Sequence, residues 1–313
     1  MKRSALVPAL VLVLAAGCAR QPRPATVPGT PATPRPGIAA LRADLAAIFR
    51  TPAFSNAIWG VTIRSLKSGE TVFALNPGTL LMPASNMKVV TAATAAERLG
   101  WSYRFDTRLV SAAPVENGVL QGDVIVVGSG DPSLGGRPGD AAAVLDSWAD
   151  QLRAAGITRV TGNIVGDDDA LDDVGLGRGW AWDDLGYGYA TPVGAVSFAE
   201  NGVVLTFKPG PAIGTPAAIE STPAGHGLSI VCQVTTGTAD SDADVDFHRP
   251  PGSTQLVVTG SVPLGKTDVT RTVSVVNPTA FSVGVLKSAL VARGIAVDGD
   301  AVDIDALPEA PAT

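Results

Sequence analysis

The spacing of apolar residues predicts a helix, a hairpin and a second helix in the first part of the chain. Residues 37–49 form an amphipathic helix in this interpretation, because apolar side chains recur there every three or four positions. Those side chains are Ile38, Leu41, Leu45 and Ile48. Two β-rich runs at residues 57–63 and 71–75 flank a Ser-Gly turn and predict an antiparallel hairpin. Pro83-Ala84-Ser85 then leads into an Ala-rich helix over residues 86–99.

Beyond about residue 105 the pattern changes to short β-rich runs that Gly-rich loops and polar turns separate. Strands are predicted at residues 107–111, 122–127, 159–165, 203–207, 228–235, 255–262, 269–276 and 295–297. Helices are predicted at residues 141–155 and 279–293. We therefore expect an α+β fold in which one or two β-rich modules follow the first helices.

The N-terminus has the pattern of a secretory signal peptide. Two cationic residues precede an apolar run over residues 5–16, which is too short to span a bilayer, and small residues then lead to Cys18. Residues 1–18 are interpreted as a lipoprotein-type signal peptide in which Cys18 becomes the lipidated N-terminus; cleavage near Ala16 with an incidental Cys is the alternative. Residues 19–37 are Pro-rich and predict a semi-rigid linker. We expect an exported protein of the periplasm or cell envelope, held at the membrane by a lipid anchor.

Composition and charge exclude several kinds of function. Hydrophobic residues make up 46 % of the chain and charged residues 17 %, which is ordinary for a globular protein. The formal net charge of −6 offers no basic surface for nucleic acid. His226 and His248, the two histidines, lie in predicted loops, so a histidine triad or a zinc site would be hard to build. We expect no cofactor and no metal, and Cys232 is interpreted as a small buried apolar residue.

The candidate chemistry is a serine and a lysine three positions apart at the start of the second helix, in Ser85-Asn86-Met87-Lys88. That spacing places both side chains on one helical face. A lysine in a partly desolvated site can act as a base, which would activate Ser85 as a nucleophile without a histidine. Free backbone N–H groups at the helix start would favour developing negative charge. The alternative is that Ser85 only caps its helix.

The sequence around this pair resembles a known family. The run from Met82 to Ala93 is similar to the active-site helix of class C low-molecular-mass penicillin-binding proteins, the D-alanyl-D-alanine carboxypeptidase/endopeptidase family. Further segments similar to that family are residues 127–134, 166–169, 187–189, 196–197 and 277–281.

The resemblance implies a partial penicillin-binding (β-lactamase-like) transpeptidase domain with β-rich inserted domains. Residues 38–105 would be the N-terminal part of the serine peptidase domain, with its helix, hairpin and serine–lysine helix. Residues 106–305 would be the inserted β-rich domain or domains. Residues 306–313 would connect to a C-terminal catalytic half that we expect to be missing from this sequence.

The resemblance also implies roles for individual residues. Ser85 would attack the D-Ala-D-Ala carbonyl of a peptidoglycan stem peptide, Lys88 would take the hydroxyl proton, and β-lactams would acylate Ser85 as inhibitors. Trp182, Asp184 and Tyr189 resemble a segment that contacts the side chain of the stem peptide. Asp184 would pair with an amine there; simple packing of the loop is the alternative.

Two motifs that the family's active site needs, Ser-x-Asn and Lys-Thr-Gly, are not found. The residues of Ser197-Phe198-Ala199-Glu200-Asn201 have the wrong spacing, and Lys266-Thr267-Asp268 has Asp where Gly should stand and follows a predicted turn between strands. We therefore expect this chain alone to be inactive, as an N-terminal portion of a serine peptidase. The alternative is a non-catalytic, lipid-anchored protein of cell-wall binding or assembly.

Two lesser motifs are interpreted as turns. The acidic run Asp167-Asp168-Asp169, with Asp172 and Asp173, could ligate a hard cation, but a solvated turn after a strand is the favoured interpretation. Gly128-Ser129-Gly130-Asp131 lacks the Lys of a phosphate-binding loop and is expected to be a structural turn.

Overall fold

The computed structural model describes residues 36–136, 142–267, 269–309 and 311. The predicted signal peptide, Cys18 and most of the linker lie outside these residues. The chain divides into two compact units, Met1–Gly100 and Trp101–Thr313. Among the described helices, none combines the length and the apolar character needed to cross a membrane.

The first unit contains the helix, hairpin and helix that the sequence predicts. Its elements are α1 (Pro36–Phe49), β1 (Val61–Arg64), β2 (Thr71–Leu75) and α2 (Met87–Leu99). Strands β1 and β2 pair antiparallel, with Val61 opposite Leu75. A short 3-10 turn, Ala84–Asn86, precedes α2.

Aromatic contacts hold this first unit together. The Trp59 ring lies 5.2 Å from that of Phe49 and 5.4 Å from that of Phe54, and Phe49 stacks on Phe73 at 5.8 Å. The Arg42 side chain of α1 donates to backbone carbonyls of β2. No described residue of this unit is fully buried, and every side chain of α2 is at least partly exposed. A two-stranded sheet with so little core is marginal by itself.

The second unit contains two helices and the remaining strands. The helices are α3 (Ala142–Ala154) and α4 (Pro278–Ala292). The strands are β3 (Arg108–Val110), β4 (Val115–Glu116), β5 (Val119–Leu120), β6 (Val124–Val127), β7 (Arg159–Val160), β8 (Ile164–Asp167), β9 (Gly202–Lys208), β10 (Ala218–Thr222), β11 (Ser229–Cys232), β12 (Thr235–Gly237), β13 (Asp244–His248), β14 (Gln255–Pro263), β15 (Val269–Ser274), β16 (Ala296–Val297) and β17 (Ala301–Asp303).

Parallel pairing organises one part of this unit. Two four-stranded sheets in this part have the orders β16-β7-β5-β4 and β17-β8-β6-β3, and in each the first three strands are parallel. Helix α4 packs against β8 and β17. Nine of its residues are buried, among them Phe281 and Leu286, so α4 covers these strands.

A second part is built on longer strands. Strand β9 pairs antiparallel with β10 and β15. Strand β14 is the centre of another sheet, parallel to β11 and β12 and antiparallel to β13. Leu205, Phe207 and Leu256 from these strands are fully buried in one core with Leu120 and Leu286. The predicted α+β character is confirmed.

Several elements differ from the sequence predictions. Strands β4, β5, β10, β13 and β17 were not expected, and His248 ends β13 rather than lying in a loop. Lys266 does follow a turn between β14 and β15, as expected. At the C-terminal side, Ile304–Ala306 forms a 3-10 turn and Leu307 packs on the buried Ile125. The role of residues 306–313 as a connector stays a prediction.

Candidate active site

Ser85 and Lys88 meet at the start of α2. The Lys88 Nζ donates a hydrogen bond to the Ser85 Oγ over 2.9 Å. The alternative of Ser85 as a helix cap is wrong, because Asn86 occupies the N-cap position and no side chain caps α2. The Ser85 hydroxyl instead accepts the hydrogen bond from the Lys88 amine. Both side chains are exposed.

The backbone enters this site through an unusual conformation. Ala84 has a φ of 45°, in the left-handed region that costs an L-residue roughly 1–2 kcal/mol. This turn precedes Ser85 directly and sets the direction from which the hydroxyl leaves the chain. Left-handed residues that are not glycine are concentrated at functional sites, where the surrounding structure maintains them.

The pair has the geometry of a nucleophile and its base. An amine at 2.9 Å is within proton-transfer reach of the hydroxyl. The free N–H groups and the dipole of the α2 N-terminus favour negative charge beside Ser85. Among the described residues, neither side chain has another hydrogen-bonding partner. This arrangement is compatible with attack by the hydroxyl and proton transfer to the amine, and the catalytic role of the pair stays a prediction.

Of the three residues predicted to bind the stem peptide, two interact directly. The Tyr189 Oη donates to Asp184 Oδ1 over 2.7 Å, and this bond is the main reason that the pKa of Tyr189 rises to about 12. Trp182 packs its ring edge-on to His248, with 6.2 Å between the centroids. Trp182 and Tyr189 are 61 % and 69 % exposed, so both present aromatic surface to solvent. Their role in substrate binding stays a prediction.

A second tyrosine, Tyr187, supports Tyr189; from the sequence it was noted only as part of the family-like segment 187–189, without a role of its own. The Tyr187 ring stacks on that of Tyr189, with centroids 5.4 Å apart, and its edge contacts Phe247. The Tyr187 hydroxyl donates to Asp246 of β13, and this bond raises the pKa of Tyr187 and lowers that of Asp246. A Tyr-Gly-Tyr sequence alone does not reveal these partners, because Asp246 and Phe247 come from a strand that the sequence did not predict.

The acidic run is only partly the solvated turn that was expected: Asp167 ends β8, and Asp168 is partly buried among partners that lie far along the chain. Carboxylate oxygens of Asp168, Asp303 and Asp305 lie within 4.8 Å of one another. Asp168 Oδ2 accepts from the Thr279 hydroxyl over 2.5 Å, whereas its Oδ1 is buried without a partner among the described residues. Burial is the main cause that raises the pKa of Asp168. Asp172 accepts from the backbone N–H of Val174, as a turn residue does.

Ser197 and Asn201, the residues that imitate Ser-x-Asn, have a structural role. Ser197 and Asn201 are buried and hydrogen-bonded to each other over 3.2 Å, with the Asn201 amide also donating to the Pro192 carbonyl. Gly128 packs so closely on Ala195 that a Cβ would lie 2.2 Å from its carbonyl oxygen, so close backbone packing accounts for this glycine.

Comparison with known proteins agrees with the resemblance. The chain is 33 % identical over 266 residues to a D-alanyl-D-alanine carboxypeptidase of Actinomadura sp., a match that covers 83 % of this chain and 48 % of the relative. It thus spans about half the length of that relative. Its fold is similar to the crystal structure of penicillin binding protein 4 (dacB) from Haemophilus influenzae, with a TM-score of 0.64, 24 % identity and coverage of 80 % of this chain and 54 % of that one.

A second structure of the Haemophilus influenzae protein, in complex with a β-lactam, matches with a TM-score of 0.57 and 24 % identity over 81 % of this chain and 52 % of that one. These likenesses confirm the predicted fold class. The model of the family described as "D-Ala-D-Ala carboxypeptidase 3 (S13)" matches residues 41–313. The serine–lysine pair lies within that match, and this chain belongs to the D-Ala-D-Ala carboxypeptidase 3 (S13) family.

Proposed function

We propose that this chain carries the nucleophile and base of a serine-type D-Ala-D-Ala carboxypeptidase/endopeptidase that acts on peptidoglycan stem peptides. The observation that carries the proposal is the 2.9 Å hydrogen bond from Lys88 Nζ to Ser85 Oγ at a helix N-terminus. The name of the Actinomadura relative and the family description support the substrate class.

The reaction follows from this geometry. The Ser85 Oγ attacks the carbonyl carbon of the D-Ala-D-Ala bond while Lys88 takes the hydroxyl proton. The peptide C–N bond breaks, Lys88 returns the proton to the leaving amine, and an ester remains on Ser85. Water then attacks the ester carbonyl and gives a proton to Lys88. The bond from the acyl carbon to the Ser85 Oγ breaks, Lys88 returns the proton to that oxygen, and the shortened peptide leaves as a free acid. A β-lactam would form the same kind of ester by opening its ring.

The site needs further groups, which we propose come from additional polypeptide. Neither Ser-x-Asn nor Lys-Thr-Gly occurs in the 313 residues. Loss of an oxyanion-hole donor costs an enzyme about 2.7–4 kcal/mol of transition-state stabilisation. No residue of α2 is buried, so its faces are free to receive a segment that carries those motifs. The chain alone is expected to be inactive.

Trp182, Asp184 and Tyr189 are proposed to contact the side chain of the stem peptide. Two exposed aromatic rings and one carboxylate suit an amine on an aliphatic stem. Asp184 would exchange its bond with the Tyr189 hydroxyl for the charged amine. In the chain completed by the additional polypeptide, replacement of Asp184 by Asn should raise KM for amine-bearing stem peptides more than for acetylated ones.

Location at the cell envelope also belongs to the proposal. The apolar N-terminus would direct export, and lipidation of Cys18 would anchor the protein to a membrane. Mass spectrometry of the purified mature protein would reveal the acyl chains. Cys18→Ser should move the protein to the soluble fraction; retention at the membrane after that change would contradict the anchor.

The test of the activity is labelling by a fluorescent penicillin. The chain is assayed alone and together with the segment of the Actinomadura relative that lies beyond the matched region. Labelling should require the added segment, disappear with Ser85→Ala and fall about 10²–10⁴-fold in rate with Lys88→Arg. Ser68→Ala, an exposed serine of the β1–β2 turn, serves as the matched control and should label normally.

The absence of both motifs favours one other function, a non-catalytic protein of cell-wall binding or assembly. The labelling experiment separates the two. Failure to label with every added segment, together with retention on purified peptidoglycan, would establish the second function. Labelling of the isolated chain that Ser85→Ala abolishes would show that no further segment is required.

A further inference from the structure

A pocket of about 700 Å³ opens in the second unit beside the stacked tyrosines. Tyr187, Tyr189 and Phe247 give it an aromatic wall. Glu200 and Arg271 line the same pocket and carry opposite charges. None of the motifs singled out from the sequence contains Arg271, and Glu200 was noted there only inside an imitation of Ser-x-Asn.

The Glu200 side chain is held at the pocket by a left-handed turn. Ala199, Glu200 and Asn201 have φ values of 47°, 53° and 53°, in the left-handed region that L-residues rarely adopt. The buried Asn201 side chain locks the turn: its amide donates to the Pro192 carbonyl and it accepts from the Phe198 N–H. Glu200 itself is exposed, so the turn directs a carboxylate outward from a rigid base.

Arg271 is fixed by contacts that leave its charge available. Its guanidinium donates to the Thr270 and Ala243 carbonyls over 2.9 and 3.1 Å. Within the described part of the chain, neither Arg271 nor Glu200 has an oppositely charged partner within 4.0 Å. Between the tyrosines, Gly188 lies flat on β15, where a Cβ would approach the Thr272 carbonyl oxygen to 2.8 Å. Packed backbone therefore shapes the pocket, and the described residues that line it include one cation and one anion without an ion-pair partner among those residues.

We propose that this pocket binds a small zwitterion, an amino acid or peptide end with a free ammonium and a free carboxylate. A guanidinium binds carboxylates, a carboxylate binds ammonium groups, and tyrosine faces attract cations. The inference rests on the proposed function only for the source of the ligand, because a D-Ala-D-Ala carboxypeptidase releases a free amino acid from a peptide. The chemistry of the pocket is independent of Ser85, which lies in the other unit.

The test is calorimetric titration of the full chain with D-alanine, N-acetyl-D-alanine and D-alaninamide. D-Alanine should bind in the millimolar range, and loss of either charge should weaken binding about tenfold or more. Glu200→Gln should abolish the advantage of the free ammonium, and Arg271→Gln that of the free carboxylate. Exposed residues outside the pocket provide matched controls: Glu116→Gln and Arg104→Gln should leave all three affinities unchanged.

Equal affinity for the three probes, or no binding of any, would overturn the proposal, as would unaltered discrimination in either pocket variant. Glu200→Lys guards against loss of binding by misfolding, because it should invert the preference towards the acetylated probe while the melting temperature is retained. Titration with D-alanyl-D-alanine identifies the source: tighter binding than D-alanine assigns the pocket to peptide ends, and weaker binding to the free amino acid. Penicillin labelling at Ser85 reports on the proposed activity separately, so the two failures are distinguishable.

Discussion

At the scale of single residues, Asn201 determines the left-handed turn over residues 199–201. Its side chain forms three hydrogen bonds away from solvent, to Pro192, Ser197 and Phe198. Asn is one of the few residues that adopts this backbone region readily. Asn201 thus provides hydrogen-bonding partners for buried polar groups, and its backbone adopts the left-handed conformation of the turn that carries Glu200.

Asn201→Ala should lower the free energy of unfolding by about 3 kcal/mol, because it leaves buried polar groups without partners in a conformation that Ala resists. Urea denaturation measures this. Asn201→Gly loses the same bonds but accepts a φ of 53°, so it should retain about 1 kcal/mol more than the Ala variant. Equal stability of Asn201→Ala and the parent would show that the side chain does not hold the turn.

Asp168 makes stability depend on pH. Burial raises its pKa above the ordinary 3.8, so between that value and the raised one the folded chain binds a proton that the unfolded chain has lost. The free energy of unfolding therefore falls as pH rises through this window. Asp168→Asn should be more stable than the parent at neutral pH, and the advantage should vanish below pH 3.8.

Thermal melts across the acidic range would measure that difference. The Thr279 hydroxyl donates to Asp168 and lowers the pKa of that carboxyl. Thr279→Val removes the hydroxyl, so the Asp168 pKa should rise further and the pH window should extend to higher pH. An Asp168→Asn chain that is less stable than the parent at neutral pH would contradict the prediction. That result is expected if the folded chain requires the charged form of the Asp168 carboxylate, as it would if this group bound a cation.

At the scale of elements, Gly260 shows how tightly β13 and β14 are joined. It lies within β14 with a φ of 108°, and a Cβ there would stand 2.0 Å from the Asp244 carbonyl oxygen of β13. Gly260→Ala should cost roughly 3 kcal/mol or more in unfolding free energy, because the two strands must separate locally. Gly252→Ala is the control: its φ is 73° but the space is open, so about 1 kcal/mol is expected. A similar loss of unfolding free energy in Gly260→Ala and Gly252→Ala would show that the close contact between β13 and β14 does not contribute to the cost.

The elements that the sequence predicted well are those with local signals. Helix α4 begins at Pro278 after Asn277, whose side chain accepts from the Ala280 N–H, and Gly294 with a φ of 82° follows its end. The Ser85–Lys88 contact spans one helical turn and could likewise be predicted. In both cases the interactions that determine the feature lie within four or five neighbouring residues, so the sequence pattern is enough to predict it.

What the sequence did not show depends on distant partners. Strand β17 has three residues and exists because it pairs in parallel with β8, which lies well over a hundred residues earlier. The grouping of Asp168 with Asp303 has the same origin. No local spacing encodes such pairs, so neither the strand nor the carboxylate cluster could be predicted from periodicity.

At the scale of the whole molecule, the two units differ in how much they bury. Nine residues of α4 are buried and none of α2 is. Hydrogen exchange by mass spectrometry should therefore find α4 amides protected by several kcal/mol of opening free energy and α2 amides exchanging near the unprotected rate. Addition of the polypeptide proposed to complete the site should protect α2 while leaving α4 unchanged. Protection of α2 equal to that of α4 in the chain alone would contradict the prediction.

The strand order of the two parallel sheets has a consequence for the chain while it is being made. Strands β16 and β17 pair with β7 and β8, and α4, which covers β8, immediately precedes them. While the chain emerges from the ribosome or a translocation channel, β7 and β8 therefore lack their partner strands β16 and β17, and β8 lacks the covering helix α4. Their edges and apolar faces stay exposed until residue 303 has emerged. Open edges invite pairing with other chains. A chain that ends shortly before residue 303 should aggregate unless a chaperone binds it. A chain that ends shortly after residue 303 should give a second unit that remains in solution.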